Sequence, residues 1–161
     1  MSGFRVAVAA AGSARCPCGG GSGRLSTAAC CGPLLRGERL AATAEQLMRS
    51  RYSAFALGEV DYLLRSQQFD RSSQASVSEQ RRSLAESCRR LRWLRLEILA
   101  TEAGGPLDLE GTVTFEAHYR QSGGRGAADG RGVLRECSRF GREGGRLEGA
   151  WLYLEALELS G

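Results

Sequence analysis

The sequence predicts an α+β domain, because apolar residues follow the helical period in the first part of the body and alternate one by one in the second. Two helix-start signals, Thr43-Ala44-Glu45-Gln46 and Ser76-Val77-Ser78-Glu79, come first, and a strictly alternating run from Leu109 to Arg120 comes after them. A length of 161 residues suits one domain with a buried core.

The Thr43 hydroxyl is placed to accept from the Gln46 amide while the Gln46 side chain reaches back to the Thr43 backbone, so a helix starts there. Leu47, Met48, Tyr52 and Phe55 share one side of it, Arg49 and Arg51 project elsewhere, and Gly58 ends it in a left-handed turn. A shorter helix follows through Tyr62, Leu63 and Leu64. After Ser76, the residues Val77, Leu84, Cys88 and Leu91 recur at spacings of seven, four and three, which predicts a further amphipathic helix.

The period then switches to two. Leu94, Leu96 and Ile98 alternate with Arg95 and Glu97, and Gly104-Gly105-Pro106 supplies a turn. Leu109, Gly111, Val113, Phe115, Ala117 and Tyr119 form the apolar phase of a long half-buried strand. Gly123 to Gly132 is a flexible glycine-rich hairpin connection, and Val133 to Phe140 and Ala150 to Leu157 are two more strands.

Composition bounds the function. An apolar fraction of 42 % with 25 % charged residues is globular, and no run approaches the roughly 18 apolar residues of a membrane span. The net charge is +4 and all 22 basic side chains are arginine. Arg81, Arg82, Arg89, Arg90, Arg92 and Arg95 are interleaved with apolar residues at element spacing, which fits a solvated face better than a nucleic-acid groove. Arg5 and the short run Val6 to Ala11 imitate a secretory signal, but one basic residue and so brief an apolar stretch do not make one. Residues 1–15 are expected to be a disordered tail, and the compartment to be the reducing cytoplasm, where thiols stay available to a metal.

Four of the six cysteines stand close together, as Cys16-Pro17-Cys18 and Cys30-Cys31. Four thiolates can close a tetrahedral shell around zinc; unliganded thiols or an oxidised pair are the alternatives at this spacing. A closed four-thiolate site leaves no position for substrate, so catalysis at the metal is not expected. Gly19, Gly20, Gly21 and Gly23 do not make a phosphate loop, since no lysine follows and no apolar strand precedes. Cys88 and Cys137 are expected as core thiols, His118 as a surface or pocket-rim residue, and Ser138, without a nucleophile elbow, as structural.

Glu136 shares its phase with Leu134, Ser138 and Phe140. If that face lines a concavity, the carboxylate sits partly desolvated, as a general base would; the favoured alternative is a structural salt bridge to Arg49 or Arg51. Tyr52, Phe55, Trp93, Phe115, Phe140 and Trp151 are expected in the core. Any pocket they leave is the default small-molecule site, with Glu136, Trp93, Tyr52 and Phe115 as its candidates.

The run Ala44-Glu45-Gln46-Leu47-Met48-Arg49-Ser50-Arg51-Tyr52-Ser53-Ala54-Phe55, preceded by Cys-Pro-Cys and Cys-Cys-Gly-Pro, resembles the YchJ family of bacterial proteins. The likeness continues through Asp61-Tyr62-Leu63, Trp93-Leu94, Gly111-Thr112-Val113-Thr114-Phe115, Glu136-Cys137-Ser138-Arg139-Phe140 and Trp151-Leu152-Tyr153. It implies a SEC-C zinc motif over residues 16–33. For residues 34–161 it implies a nuclear transport factor two-like, cystatin-like domain of helices packed on a curved antiparallel sheet. In this chain the loop between the cysteine pairs is longer by a few residues than the family's.

The resemblance implies no settled activity. The favoured expectation is a zinc-binding, non-catalytic module that docks a protein partner, chaperone- or translocation-associated because SEC-C motifs resemble the zinc tail of the preprotein-translocase ATPase. The second is a small-ligand or enzymatic pocket with Glu136 as acid or base. The third is weak nucleic-acid binding.

Overall fold

The computed structural model describes residues 14–20, 25–68, 76–121 and 130–161. The expected tail lies outside the described residues up to position 13, as does most of the glycine-rich connection from Gly123. A 3-10 turn, Thr27–Ala29, leads to a short helix α1 (Gly32–Leu35), then α2 (Ala44–Leu57), α3 (Val60–Arg65) and α4 (Val77–Arg90). Four strands follow: β1 (Leu91–Ala103), β2 (Glu110–Gln121), β3 (Arg131–Arg142) and β4 (Trp151–Ser160). They pair antiparallel in the order β1-β2-β3-β4. This is the expected α+β architecture.

Helix α2 begins where its cap predicts. Gln46 N donates to Thr43 Oγ1 at 3.1 Å, but the Gln46 side chain accepts from Ala42 N at 2.8 Å rather than from Thr43. Gly58 closes the helix at φ 76°, in the left-handed region that favours glycine. Around α4 the box is complete, with Ser76 N donating to Glu79 Oε2 at 2.6 Å and Glu79 N to Ser76 Oγ at 3.2 Å. Its apolar face is thinner than the spacing predicts. Val77 is 51 % exposed, and only Leu84 and Cys88 of this helix pack against the core.

Strand β1 corrects the expected phase. Register shifts at Trp93/Arg95 and Ile98/Ala100 break its pairing with β2, so Trp93, Leu96 and Ile98 face the core while Leu94 is exposed. Leu109 is exposed too, because β2 starts one residue later. From Gly111 to Ala117 the strand alternates as predicted, with Val113, Phe115 and Ala117 buried. Strand β3 pairs with β2 without a shift, which keeps Leu134, Glu136, Ser138 and Phe140 on one face.

Leu47, Met48 and Tyr52 of α2 share the core with Val113, Phe115, Phe140 and Trp151 of the sheet. Trp151, 2 % exposed, donates from Nε1 to Ala42 O at 3.2 Å and carries the Arg142 guanidinium 4.3 Å from its ring centroid. Ala44 N donates to Gly104 O at 2.9 Å, tying the start of α2 to the β1–β2 turn. A Cβ at Gly104 would lie 2.7 Å from that of Ala44, so this turn needs glycine for space as well as for its φ of 76°.

Cys16, Cys18 and Cys31 belong to the same buried cluster. The cysteine segment is packed into the body rather than appended to it.

Among the described residues no helix is long and apolar enough to cross a membrane. The arginines of α4 and β1 lie on a solvated face: Arg81 pairs with Asp61, Arg90 with Glu86, and Arg95 with Glu97.

Candidate functional site

The cysteine loop is closed at its base by backbone bonds. Cys16 N donates to Leu25 O and Thr27 N to Ala14 O, each at 2.9 Å, so the two ends of the loop run side by side. Ser26 caps the 3-10 turn and Pro33 opens α1, which places Cys30 and Cys31 opposite Cys18.

The structure thereby brings together Cys16, Cys18, Cys30 and Cys31, whose Sγ atoms all lie within 4.8 Å of one another. Cys18 Sγ is 3.5 Å from Cys30 Sγ and 3.6 Å from Cys31 Sγ, and the latter two are 3.9 Å apart. None is in a disulfide. A tetrahedron with metal–sulfur bonds of about 2.3 Å has edges of about 3.8 Å, so these spacings fit a four-thiolate metal site.

The surroundings fit as well. Gly20 N donates to Cys18 Sγ at 3.1 Å, and a Cβ at Gly20 would lie 2.7 Å from Cys30 Sγ and 3.0 Å from Cys18 Sγ. This glycine is a cradle wall for the sulfurs, a role that the sequence, offering only a flexible glycine run, did not reveal. Ser53 Oγ lies 3.5 Å from Cys16 Sγ, and Arg49 Nη1 donates to Cys18 O at 2.9 Å. Both come from α2, and no spacing signal links them to the cysteines.

Bonds from the Cys18 and Cys31 thiols pull the Cys16 pKa down. Bonds to Cys16 and Cys18 hold the Cys31 thiol up, and burial followed by the charge of Cys18 pushes Cys30 up to about 12. The Cys30 and Cys31 thiols thus hold their protons while Cys16 gives its up; ionising all four together requires a cation.

A second feature lies between α2, α4 and the sheet: a cavity of about 370 Å³. The pocket candidates Glu136, Trp93, Tyr52 and Phe115 all line it, joined by Arg51, Ser138 and Tyr153. Arg51 does not project away as its helical position suggested. It is 7 % exposed and donates to Leu63 O at 2.9 Å, Ser66 Oγ at 2.8 Å and Gln67 Oε1 at 3.3 Å. Burial lowers its pKa to about 10, opposed by Tyr153, Tyr62 and Glu136, so it stays charged at neutral pH.

Glu136 makes no salt bridge to Arg49 or Arg51, contrary to the expected pair. Its Oε1 accepts instead from Ser138 Oγ at 2.7 Å and Tyr153 Oη at 3.0 Å, and the Arg51 guanidinium stacks 4.8 Å from the Tyr153 centroid. Trp93 packs edge-on against Tyr52 and Tyr119, and its Nε1 is buried with no hydrogen-bond partner. Leaving such a donor unsatisfied costs about 1–3 kcal/mol.

Other candidates stand apart. His118 lies on the opposite face, its Nε2 3.2 Å from Arg95 Nη2 and 3.3 Å from Glu97 Oε2. Cys88 packs against the core as expected, but Cys137 does not: its phase is that of Arg135 and Arg139, on the outer face of β3.

A family model described as YchJ, middle NTF2-like domain, matches residues 43–156. The chain belongs to the YchJ family. Among curated relatives, a UPF0225 protein of Geobacter sulfurreducens is 48 % identical over 111 residues, 68 % of this chain and 64 % of that protein, so the match spans under two thirds of its length. A UPF0225 protein of Corynebacterium efficiens is 41 % identical over 140 residues, covering 86 % of this YchJ-family chain and 89 % of the relative.

The solution structure of a SEC-C motif containing protein from Rhodopseudomonas palustris superposes with a TM-score of 0.69 at 31 % identity, covering 91 % of this chain and all of that one (100 %). The crystal structure of a SEC-C motif containing protein from Psychrobacter arcticus gives 0.68 at 23 % identity, covering 94 % and 86 %, and speaks for the fold alone. The YchJ assignment thus rests on the body of the chain, and the four-cysteine cluster on the geometry above.

Proposed function

We propose that this YchJ-family chain is a zinc-binding protein of the cytoplasm, in which Cys16, Cys18, Cys30 and Cys31 hold one structural zinc and the surface around them docks a protein partner. The observation that carries the reading is the closure of four sulfurs within 4.8 Å, with spacings suited to a tetrahedral shell. When bound, zinc supplies the positive charge that lets four adjacent thiols ionise together. Arg49 fixes the Cys18 carbonyl, Gly20 donates to a sulfur, and Ser53 sits against Cys16, so α2 holds both cysteines of the first pair.

Four protein ligands leave no position for substrate, which favours a non-catalytic role. Around the cluster, Leu25 is 43 % exposed and Ala28, Ala29 and Gly19 are exposed, a small and weakly apolar surface that suits a protein better than a polyanion. A chaperone- or translocation-associated partner is the class that the SEC-C likeness suggests. The test is binding of a purified export chaperone to the zinc-loaded and the chelator-stripped chain. Binding that requires the metal supports docking through this surface; binding that survives its removal counts against it.

A further inference from the structure

We infer that Glu97, Glu116 and His118, on the outer face of the sheet, form a site for a divalent cation of the zinc type, separate from the cysteine cluster. Each offers one ligand atom, and the three atoms lie within 4.8 Å of one another. Strand pairing builds the group: Glu97 stands opposite Glu116 and Arg95 opposite His118, in the stretch of β1 that follows the register shift at Trp93/Arg95. Glu116 and His118 are two residues apart on β2 and so share a face. His118 Nε2 is 3.3 Å from Glu97 Oε2 and 3.9 Å from Glu116 Oε2. Ligand atoms on one zinc, each about 2.0–2.2 Å from it, stand about 3.0–3.5 Å apart. Glu97 is therefore in place, and the partly exposed Glu116 has about half an ångström to close.

Arg95 shows what these atoms attract. Its Nη2 lies 3.2 Å from His118 Nε2 and 3.5 Å from Glu97 Oε2, so a positive charge already stands among the ligands. The ring nitrogen is left in conflict. A guanidinium only donates and a carboxylate only accepts, so a proton on Nε2 suits Glu97 and opposes Arg95, while a lone pair does the reverse. A metal ion in place of the guanidinium meets the lone pair and both carboxylates together. Arg95 gives way readily, because its side chain is 60 % exposed and an ion pair is worth little there. Arg135 lies 3.7 Å from Glu116 Oε1, the other oxygen, and leaves Oε2 open toward His118. An imidazole among the ligands selects zinc and its first-row neighbours over magnesium and calcium, which prefer oxygen alone. Three protein ligands leave a position for water, and with Arg95 competing the ion exchanges with solvent. The purified chain therefore does not retain it, and metal content after purification reports on the cysteines alone.

The experiment adds zinc to the full-length purified chain, freed of loose metal by desalting, and follows the ring protons of His118, the only histidine, by NMR at neutral pH. These protons are expected to move saturably with one equivalent beyond what the cysteines hold, and to stay still when magnesium is added at the same concentration. Glu97→Gln and Glu116→Gln should each weaken zinc binding at least tenfold, and Arg95→Ala should strengthen it at least threefold. All three side chains reach solvent, so these variants are expected to fold. A His118 signal that does not saturate overturns the proposal. So does a loss of less than tenfold in either glutamate variant, which marks an imidazole binding zinc by itself. A response to magnesium equal to that to zinc, or an Arg95→Ala affinity less than threefold above the parent's, overturns it as well. Zinc taken up by the cysteines leaves the His118 protons still, so failure of the cysteine site is read separately.

Discussion

Arg49 Nη1 donates to the carbonyl oxygen of Cys18 across 2.9 Å, joining the second turn of α2 to the loop that carries the sulfurs. Because an outer partner of this kind holds a ligand's backbone in place, its removal should loosen the metal without removing a ligand. Arg49→Ala is expected to keep one zinc per chain but to lower its affinity about 10–100-fold, read by competition with a chromophoric chelator. An unchanged affinity would show that the loop holds its own shape.

Gly20 is expected to be intolerant of any side chain. Its absent Cβ would stand 2.7 Å from Cys30 Sγ, closer than real contacts allow, so Gly20→Ala must displace a sulfur. Substoichiometric zinc and a lower melting temperature are the expected results. Full metal content in Gly20→Ala would mean that the sulfurs are not arranged as described.

How much of this was legible in the chain differs from element to element. Helix α2, the alternation of β2 and the phase of Glu136 could be read, because each depends on neighbours within one turn or one strand. The exposure of Leu94 could not, since a bulge in β1 is set by pairing with β2 and leaves no local mark. Arg51 misled for a related reason. Its burial depends on acceptors at Leu63, Ser66 and Gln67, which only the fold of α3 back onto α2 provides. The cysteine spacing was visible, whereas the help given to the sulfurs by Gly20, Ser53 and Arg49 was a matter of tertiary placement.

Trp151 anchors the far end of the core. With 2 % exposure and a bond to Ala42 O, Trp151→Ala should cost about 3–5 kcal/mol, and Trp151→Phe less. Leu107, at 83 % exposure, is the control, with Leu107→Ala expected to lie within about 0.5 kcal/mol of the parent in denaturant unfolding.

Alkaline pH should destabilise the chain through Tyr153. Burial, then the charge of Glu136, holds its phenol above the ordinary value of 10.0. Below that pH the phenol is protonated in both states and its stabilisation is intact. Above it the unfolded phenol ionises while the folded one does not, so the folded chain binds more protons and stability falls by up to about 1.4 kcal/mol per pH unit. Denaturant midpoints from pH 9 to 12 check this, and Tyr153→Phe should show a shallower fall. Identical slopes in the two proteins would remove Tyr153 from the account.

The most direct measurement is elemental analysis of the chain purified reduced and without oxygen, beside a Cys18→Ser, Cys31→Ser double variant. The account predicts one zinc per parent chain and none in the variant. A parent chain without metal, or a variant that keeps it, would contradict the four-sulfur site.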